Sequence, residues 1–334
     1  ATPATAGATP AASSSPAATL VATPPRVTPS VTSAPVATVA PKAEREVKLA
    51  DVGATLYEHP TDPVWLAAYL QVKRPFKTFA RDRTGRFKEI GLAEAPQMSP
   101  DGDWVALNPW LKFQNTDMDK LRFTRLSTGE SFEVTTVKKP EQSWFPAWSH
   151  DGTRVVASIT DDKRKKITGF VHVDVVARKA TVVRTEYVDD LSLPFTFTPD
   201  GSIARGYTAA KNRGFETYDM SGKVTRNVHW VGSPRDVSWY SPSGKKYVTV
   251  CPNREDVCVW DTSTGVRKAT IGGIKNAGYL LGWFNEDHIL VREPTRKKGR
   301  DQIKIVSFLG ETQRVLAELP SRSVIVHFAP KAPR

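Results

Sequence analysis

Trp148-Ser149-His150-Asp151-Gly152 is a tight turn set between two apolar stretches, and it is not alone. Met98-Ser99-Pro100-Asp101-Gly102, Phe197-Thr198-Pro199-Asp200-Gly201 and Tyr240-Ser241-Pro242-Ser243-Gly244 repeat the pattern; Trp283-Phe284-Asn285-Glu286-Asp287 is a worn copy. In such a turn Pro pre-sets φ and Asp-Gly supplies the residue that tolerates a positive φ. Each copy leads into an apolar run: Trp104–Leu107, Val155–Ile159, Ile203–Tyr207, Tyr247–Cys251 and His288–Val291.

A second turn family alternates with the first. It reads Arg83-Thr84-Gly85-Arg86, Ser127-Thr128-Gly129-Glu130, Ala177-Arg178-Lys179, Ser221-Gly222-Lys223, Ser263-Thr264-Gly265-Val266 and Leu309-Gly310-Glu311. The third copy lacks its glycine, so that turn is expected to differ in detail. A period of about forty-five residues marks a repeat architecture. Each unit then holds four short strands, a to d, with the first turn joining a to b and the second joining c to d. Val64–Leu70 reads as a strand b with no strand a before it, and Ser323–Phe328 as a strand a with nothing after it. Pairing these two closes a ring and hides the open sheet edges that invite aggregation. The predicted fold is all-β: a six-bladed β-propeller of four-stranded antiparallel blades, closed by the C-terminal strand joining the N-terminal blade.

These turn sites resemble those of the TolB-like six-bladed propeller family, a relative of the WD-type repeats. The likeness runs over about residues 55–330 and rests on Met98–Gly102, Trp148–Gly152, Phe197–Gly201 and Tyr240–Gly244. It implies the closed ring and says little about activity, because this repeat serves scaffolds, receptors and gating domains alike. The Trp-Asp pair of WD repeats occurs once, at Trp260-Asp261.

The 334 residues carry 47 Lys+Arg against 35 Asp+Glu, a net charge of +12, which favours anionic partners; general solubility explains it equally well. With 40% hydrophobic residues and nine Trp, a collagen-like or wholly disordered chain is excluded. No apolar run approaches the ~18 residues of a membrane span. Residues 1–41 are almost entirely Ala, Thr, Pro, Ser and Val, with Arg26 as the one charge. Residues 1–45 therefore read as a disordered stalk or generic tail, and 46–334 as the propeller. Without a starting Met, basic n-region or apolar h-region, the chain reads as a processed or trimmed product, tethered to a membrane only through an upstream segment.

Cys251 and Cys258 close a hairpin in the fifth unit, as a disulfide or as two buried thiols; their spacing has no zinc partner set. A disulfide and a stalk together suggest an extracellular or cell-envelope location. No nucleophile elbow, phosphate-binding loop, metal-binding helix or dinucleotide fingerprint is present. No metal and no cofactor are expected. His150 stands where other copies have Pro, which favours a structural role, and His327 lies in the closing strand, where it is expected to look into the channel. Asn115-Thr116-Asp117-Met118-Asp119 reads as a solvated acidic loop rather than a Ca²⁺ loop, lacking the Gly and distal Glu. Most Trp residues, Trp148, Trp239 and Trp283 among them, are read as wedges between blades.

In a propeller the b–c and d–a connections share one face. The b–c loops carry Lys73, Arg74, Lys163, Arg164, Lys165, Lys166, Lys211, Arg213, Arg296, Lys297, Lys298 and Arg300, which predicts a basic face for an anionic partner. The first residues of the a strands, read as Gln97, Trp144, Pro194, Arg235, Tyr279 and Arg322, ring the channel mouth as a ligand site of guanidinium and aromatic groups. The expected function is non-catalytic extracytoplasmic binding, sensing or scaffolding, with an envelope protein or anionic polymer as partner. The alternative is a hydrolase or lyase acting on a glycan or lactone at the channel mouth. Nucleic acid is not expected as a partner, and a monomer is.

Overall fold

The computed structural model describes residues 39–73, 75–113, 115–163, 165–190 (the backbone alone for 186–190), 193–207, 213–234, 237–274 and 279–331. The tail read from the sequence therefore lies outside the described residues up to position 38.

The named elements among the described residues are all β-strands. A hairpin of β1 (Arg45–Leu49) and β2 (Ala54–Glu58) comes first. The first unit follows with β3 (Val64–Gln71), β4 (Lys77–Arg81) and the opening half of β5 (Phe87–Met98). The closing half of β5 starts the second unit, with β6 (Trp104–Pro109), β7 (Met118–Arg125) and β8 (Ser131–Lys138). The third holds β9 (Gln142–Trp148), β10 (Arg154–Thr160), β11 (Lys166–Asp174) and β12 (Lys179–Asp190). The fourth holds β13 (Phe195–Phe197), β14 (Ile203–Tyr207), β15 (Gly214–Tyr218) and β16 (Val224–Val228). The fifth has β17 (Lys246–Val250), β18 (Val257–Asp261) and β19 (Arg267–Ile271). Among the described residues its inner segment pairs through isolated bridges, Tyr240 to Tyr247 and Ser233 to Val250. Pro234 and Pro242 remove ladder donors there. The last unit is β20 (Leu280–Asn285), β21 (His288–Pro294), β22 (Arg300–Ser307) and β23 (Thr312–Pro320), before β24 (Val324–Pro330).

The b strands are buried almost throughout; in β10 every residue after Arg154 is buried. A strand with neighbours on both faces reads as a continuous apolar run, which these do. Their alternate residues then serve different interfaces. Val155, Ala157 and Ile159 pack with Leu121 and Phe123 of the second unit, while Val156 packs with Phe195 and Ile203 of the fourth. The same interleaving joins the first unit to the second, through Ala68, Ala80, Val105 and Leu107, and the fourth to the fifth and last. Leu66 and Tyr69 of the first unit share a cluster with Leu290, Ile303 and Ile305 of the last. Each unit thus packs on the next, and the last on the first. This is a propeller arrangement.

Two latches hold that final contact. β24 runs antiparallel beside β3, from Val324 opposite Gln71 to Pro330 opposite Val64. β2 lies on the outer edge of β23, pairing Thr55 with Glu318 and Leu56 with Ala317. The second latch is not foreseen from the sequence. Buried ion pairs reinforce it: Arg314 grips both carboxylate oxygens of Asp62 at 2.7 Å, and Arg81 grips both of Glu58.

The repeated turns are built by one hydrogen-bond scheme. The Ser149 hydroxyl donates to Asp151 Oδ1 at 2.6 Å, which also receives the Thr153 amide at 3.0 Å, and the Arg154 amide donates to Ser149 Oγ at 3.0 Å. Ser99 and Asp101 repeat the scheme, as do Thr198 and Asp200. Glycines at φ 69–88° close five of the c–d turns; in the copy without glycine, Arg178 itself adopts φ 54°. The Trp wedges are confirmed where Trp148 Nε1 donates to Gln97 O (2.9 Å) and Trp283 Nε1 to Trp239 O (3.0 Å), each reaching the preceding unit.

Candidate functional site

Antiparallel order gives every unit a turn end, with the a–b and c–d turns, and a loop end, with the b–c and d–a connections. Their electrostatics differ. At the turn end several cations pair with carboxylates: Arg125 with Asp103 at 2.8 Å, Lys88 with Asp82 at 3.1 Å, Lys246 with Asp287 at 3.3 Å, Lys268 with Asp261 at 3.6 Å. Burial alone would raise the Asp82 carboxyl, but hydrogen bonds from Thr84, Lys88 and the Arg86 amide outweigh it and hold the group down at about 2. In Asp151, too, burial is overcome by the bonds from Ser149 and Thr153, and the carboxyl sits at about 2.

At the loop end a set of exposed cations stands apart. Lys73, Lys163, Lys165, Lys166, Arg296, Lys297 and Lys298 are exposed. Among the described residues none of the seven makes an ion pair. Asp161 fixes the Lys163–Lys166 loop through its backbone, accepting the Lys165 and Lys166 amides at 2.6 and 3.1 Å, and those bonds lower its carboxyl. Arg213 is half-buried, and Arg300 is half-buried with Nη1 donating to Gly53 O at 2.6 Å. Arg74, Arg164 and Lys211 lie outside the described residues.

A groove of about 740 Å³ runs along the last unit, from the Thr295–Arg300 loop at this end to Gly310 and Thr312 beside its c–d turn. Its walls include Gly273 and Ile274 of the connector after β19, the Thr295–Arg300 loop with Arg296 and Lys297, and Gln302, Lys304 and Glu318 of the outer strands. A smaller cavity of about 130 Å³ sits at the seam between the β1–β2 hairpin and the first unit. There Trp65 and Phe87 stack on the guanidinium of Arg81, at 4.9 and 5.2 Å.

The channel-mouth residues are less coherent. β5 continues from one unit into the next with a bulge between Glu94 and Gln97, so the inner strand begins at Ala93 and Gln97 stands near its turn end. Trp144 is buried, stacked under Lys112 Nζ at 4.9 Å. Tyr279 and Arg322 are exposed at the loop ends just before β20 and β24, and Arg235 lies outside the described residues. Pro194 leads into β13.

The Asn115–Asp119 segment corrects an expectation: Asp119 is fully buried, not solvated. Lys112 Nζ reaches both its oxygens at 2.8 Å, and the Ser143 amide donates to Oδ2 at 2.6 Å. A buried carboxylate so partnered is a structural tie between units. Among the described residues no group of three His, Cys, Asp or Glu side chains stands close enough to hold a metal. His327 is pushed down to about 4 by burial, and its Nε2 has no hydrogen-bond partner.

Cys251 and Cys258 form a disulfide with Cα atoms 5.1 Å apart, closing the loop end of the fifth unit. Such a bond suggests an oxidising compartment. Trp230 escapes the core reading of tryptophan: it is 60% exposed, at φ 66°, in the connection ahead of that hairpin. Only its position in a d–a connection signals this.

No protein-family model and no curated protein matches the sequence. Among solved structures, the chain is similar to TolB from Acinetobacter baumannii, at 18% identity over 84% of this chain and 68% of that one, with a TM-score of 0.56. It is also similar to a putative TolB from Agrobacterium tumefaciens, at 15% identity over 80% and 99% with a TM-score of 0.46. An oligogalacturonate lyase in complex with manganese gives 14% identity over 84% and 96%, with a TM-score of 0.47. The first likeness shows a TolB-like propeller fold.

Proposed function

We propose that this chain is a non-catalytic extracytoplasmic binding or scaffold module, a six-bladed propeller that engages an envelope protein or anionic polymer through its loop end. The blade count takes β5 as two strands and the segment before β17 as the fifth inner strand. One observation carries the reading. Seven exposed cations cluster on three loop-end connections without an ion pair among the described residues, whereas Arg125, Lys88 and Lys268 at the turn end sit beside aspartates. Unpaired cations on pinned loops attract an anionic surface over a Debye length of ~8–10 Å and add little to stability. The disulfide supports placing the module in an oxidising compartment. Tyr279 and Arg322 are the members of the proposed mouth that are exposed and described, and they extend the same surface.

The test is capture of partners from an envelope fraction at low and high salt. Wild-type chain is compared with K163E/K165E/K166E and R296E/K297E/K298E. Capture that falls with salt and with either charge reversal is the expected result. Capture indifferent to salt and to both reversals overturns the reading.

A further inference from the structure

We infer that the groove beside the last unit seats an acidic polysaccharide, a polyhydroxylated chain with one acid group per sugar. This deepens the loop-end reading and rests on it. The groove's about 740 Å³ falls within the ~300–1,000 Å³ typical of ligand clefts.

Its origin is visible in the strand alternation. On one face of β21 the residues run Ile289, Val291, Glu293, and on β22 Val306, Lys304, Gln302. The apolar members pack against the fifth unit. The polar members come next along the same face, and a neighbouring sheet cannot close over charges without losing their hydration. A wet cleft remains where packing stops.

The chemistry of its lining selects the occupant. Arg296 and Lys297 stand exposed at the rim, where acid groups can meet them. Inside, Lys304 Nζ is held by Glu293 at 2.7 Å, and the Gln302 amide donates to Glu318 Oε1 at 2.8 Å. The interior therefore offers carboxylate acceptors as well as donors. Glu318, with Glu293 offsetting Lys304, leaves the interior less positive than the rim, which disfavours a densely charged chain such as polyphosphate, and a neutral chain leaves the rim cations unused. Hydroxyls donate to carboxylates while acid groups take the cations, and an acidic polysaccharide supplies both.

The rim is also fixed in advance. Thr295 Oγ1 donates to Arg300 O at 3.1 Å and accepts the Lys297 amide at 3.1 Å, so little loop ordering opposes binding.

The experiment measures binding of a uronate octasaccharide from alginate to the whole chain at ~50 and ~500 mM salt. Linear polyphosphate of equal charge and anionic phospholipid vesicles serve as comparators. R296E/K297E weakens octasaccharide binding about tenfold or more at low salt. Q302A, an uncharged change, weakens it about threefold at both salts. K163E/K165E changes it less than about twofold. All three variants alter partly or fully exposed side chains, and an unchanged melting temperature confirms folding. Tighter binding of polyphosphate or vesicles overturns the inference. Loss with K163E/K165E but not with R296E/K297E overturns the groove and leaves the wider loop-end reading standing. Octasaccharide binding that is absent, or indifferent to both reversals, overturns the groove, and envelope capture then decides the wider reading separately.

Discussion

The turn end and the loop end of this propeller are made from similar residue types and put them to different use. At the turn end Asp and Glu sit within reach of Arg and Lys, and the acid oxygens also cap backbone amides. At the loop end seven exposed cations rise on short loops without an ion pair among the described residues, and the pairs found there, such as Lys112 with Asp119, are buried. The lesson concerns where charge contributes to stability. Pairs with buried members resist disruption because removing one partner strands the other. Isolated exposed cations contribute almost nothing to the fold, which leaves them available for recognition.

The contrast is broken most severely at the seam. Arg314→Ala leaves Asp62, 4% exposed as a side chain, without its bidentate partner, and should cost about 3–5 kcal/mol in urea unfolding. A loss below about 1 kcal/mol would show that the turn-end pairs are ornamental. Next comes the staple at the loop end. Removing Cys251 and Cys258 together opens a loop with a sequence separation of 7, and chain entropy sets the expected loss at about 2–3 kcal/mol. With the buried Lys112–Asp119 pair, the staple lets the loop end match the turn end in stability.

Acid sharpens the difference. Asp82 and Asp151 are held at about 2, below their unfolded values near 4. Depressed carboxyls stabilise fully above the unfolded value and lose that contribution as pH falls through the folded one. Stability should therefore drop between about pH 4 and pH 2, and Asp82→Asn with Asp151→Asn should flatten that limb of the pH–stability curve.

Arg178→Gly relieves a left-handed arginine worth about 1 kcal/mol, but gives up its contact with Glu130 at 2.5 Å and its stack on Phe132 at 4.3 Å. The net change in thermal unfolding should stay within about 1 kcal/mol. Smallest of all, K163E/K165E/K166E should leave stability within about 0.5 kcal/mol. A larger shift would mean that these lysines belong to the fold.

The alternating turns were legible because each is local: its chemistry is written within five or six residues, and Gly and Asp-Gly announce it. The closing strand was legible because Ser323–Phe328 lacked a partner and Val64–Leu70 lacked its inner neighbour. The β1–β2 latch was not, since its pairing with β23 covers Thr55 and Leu56 alone and joins opposite ends of the chain. Gln97 was displaced because β5 passes between units without a turn residue, bending at a bulge where Ala95 takes φ 46°. Asp119 read as solvated because its second partner, Ser143, belongs to the next unit. At the loop end the basic clusters were plain in the sequence. The groove was not, because it depends on two strand faces turning polar at the same depth.

The pairing of β24 with β3 also fixes an order of events during synthesis. Of the described strands, the one that covers the inner edge of the first unit is the last to leave the ribosome. Until then Val64–Gln71 offers bare backbone along an apolar strand, the kind of surface that nascent chains must shield. A polypeptide broken off ahead of Val324 would keep that edge bare and stay adhesive, so β24 guards the rest of the fold against truncation ahead of it.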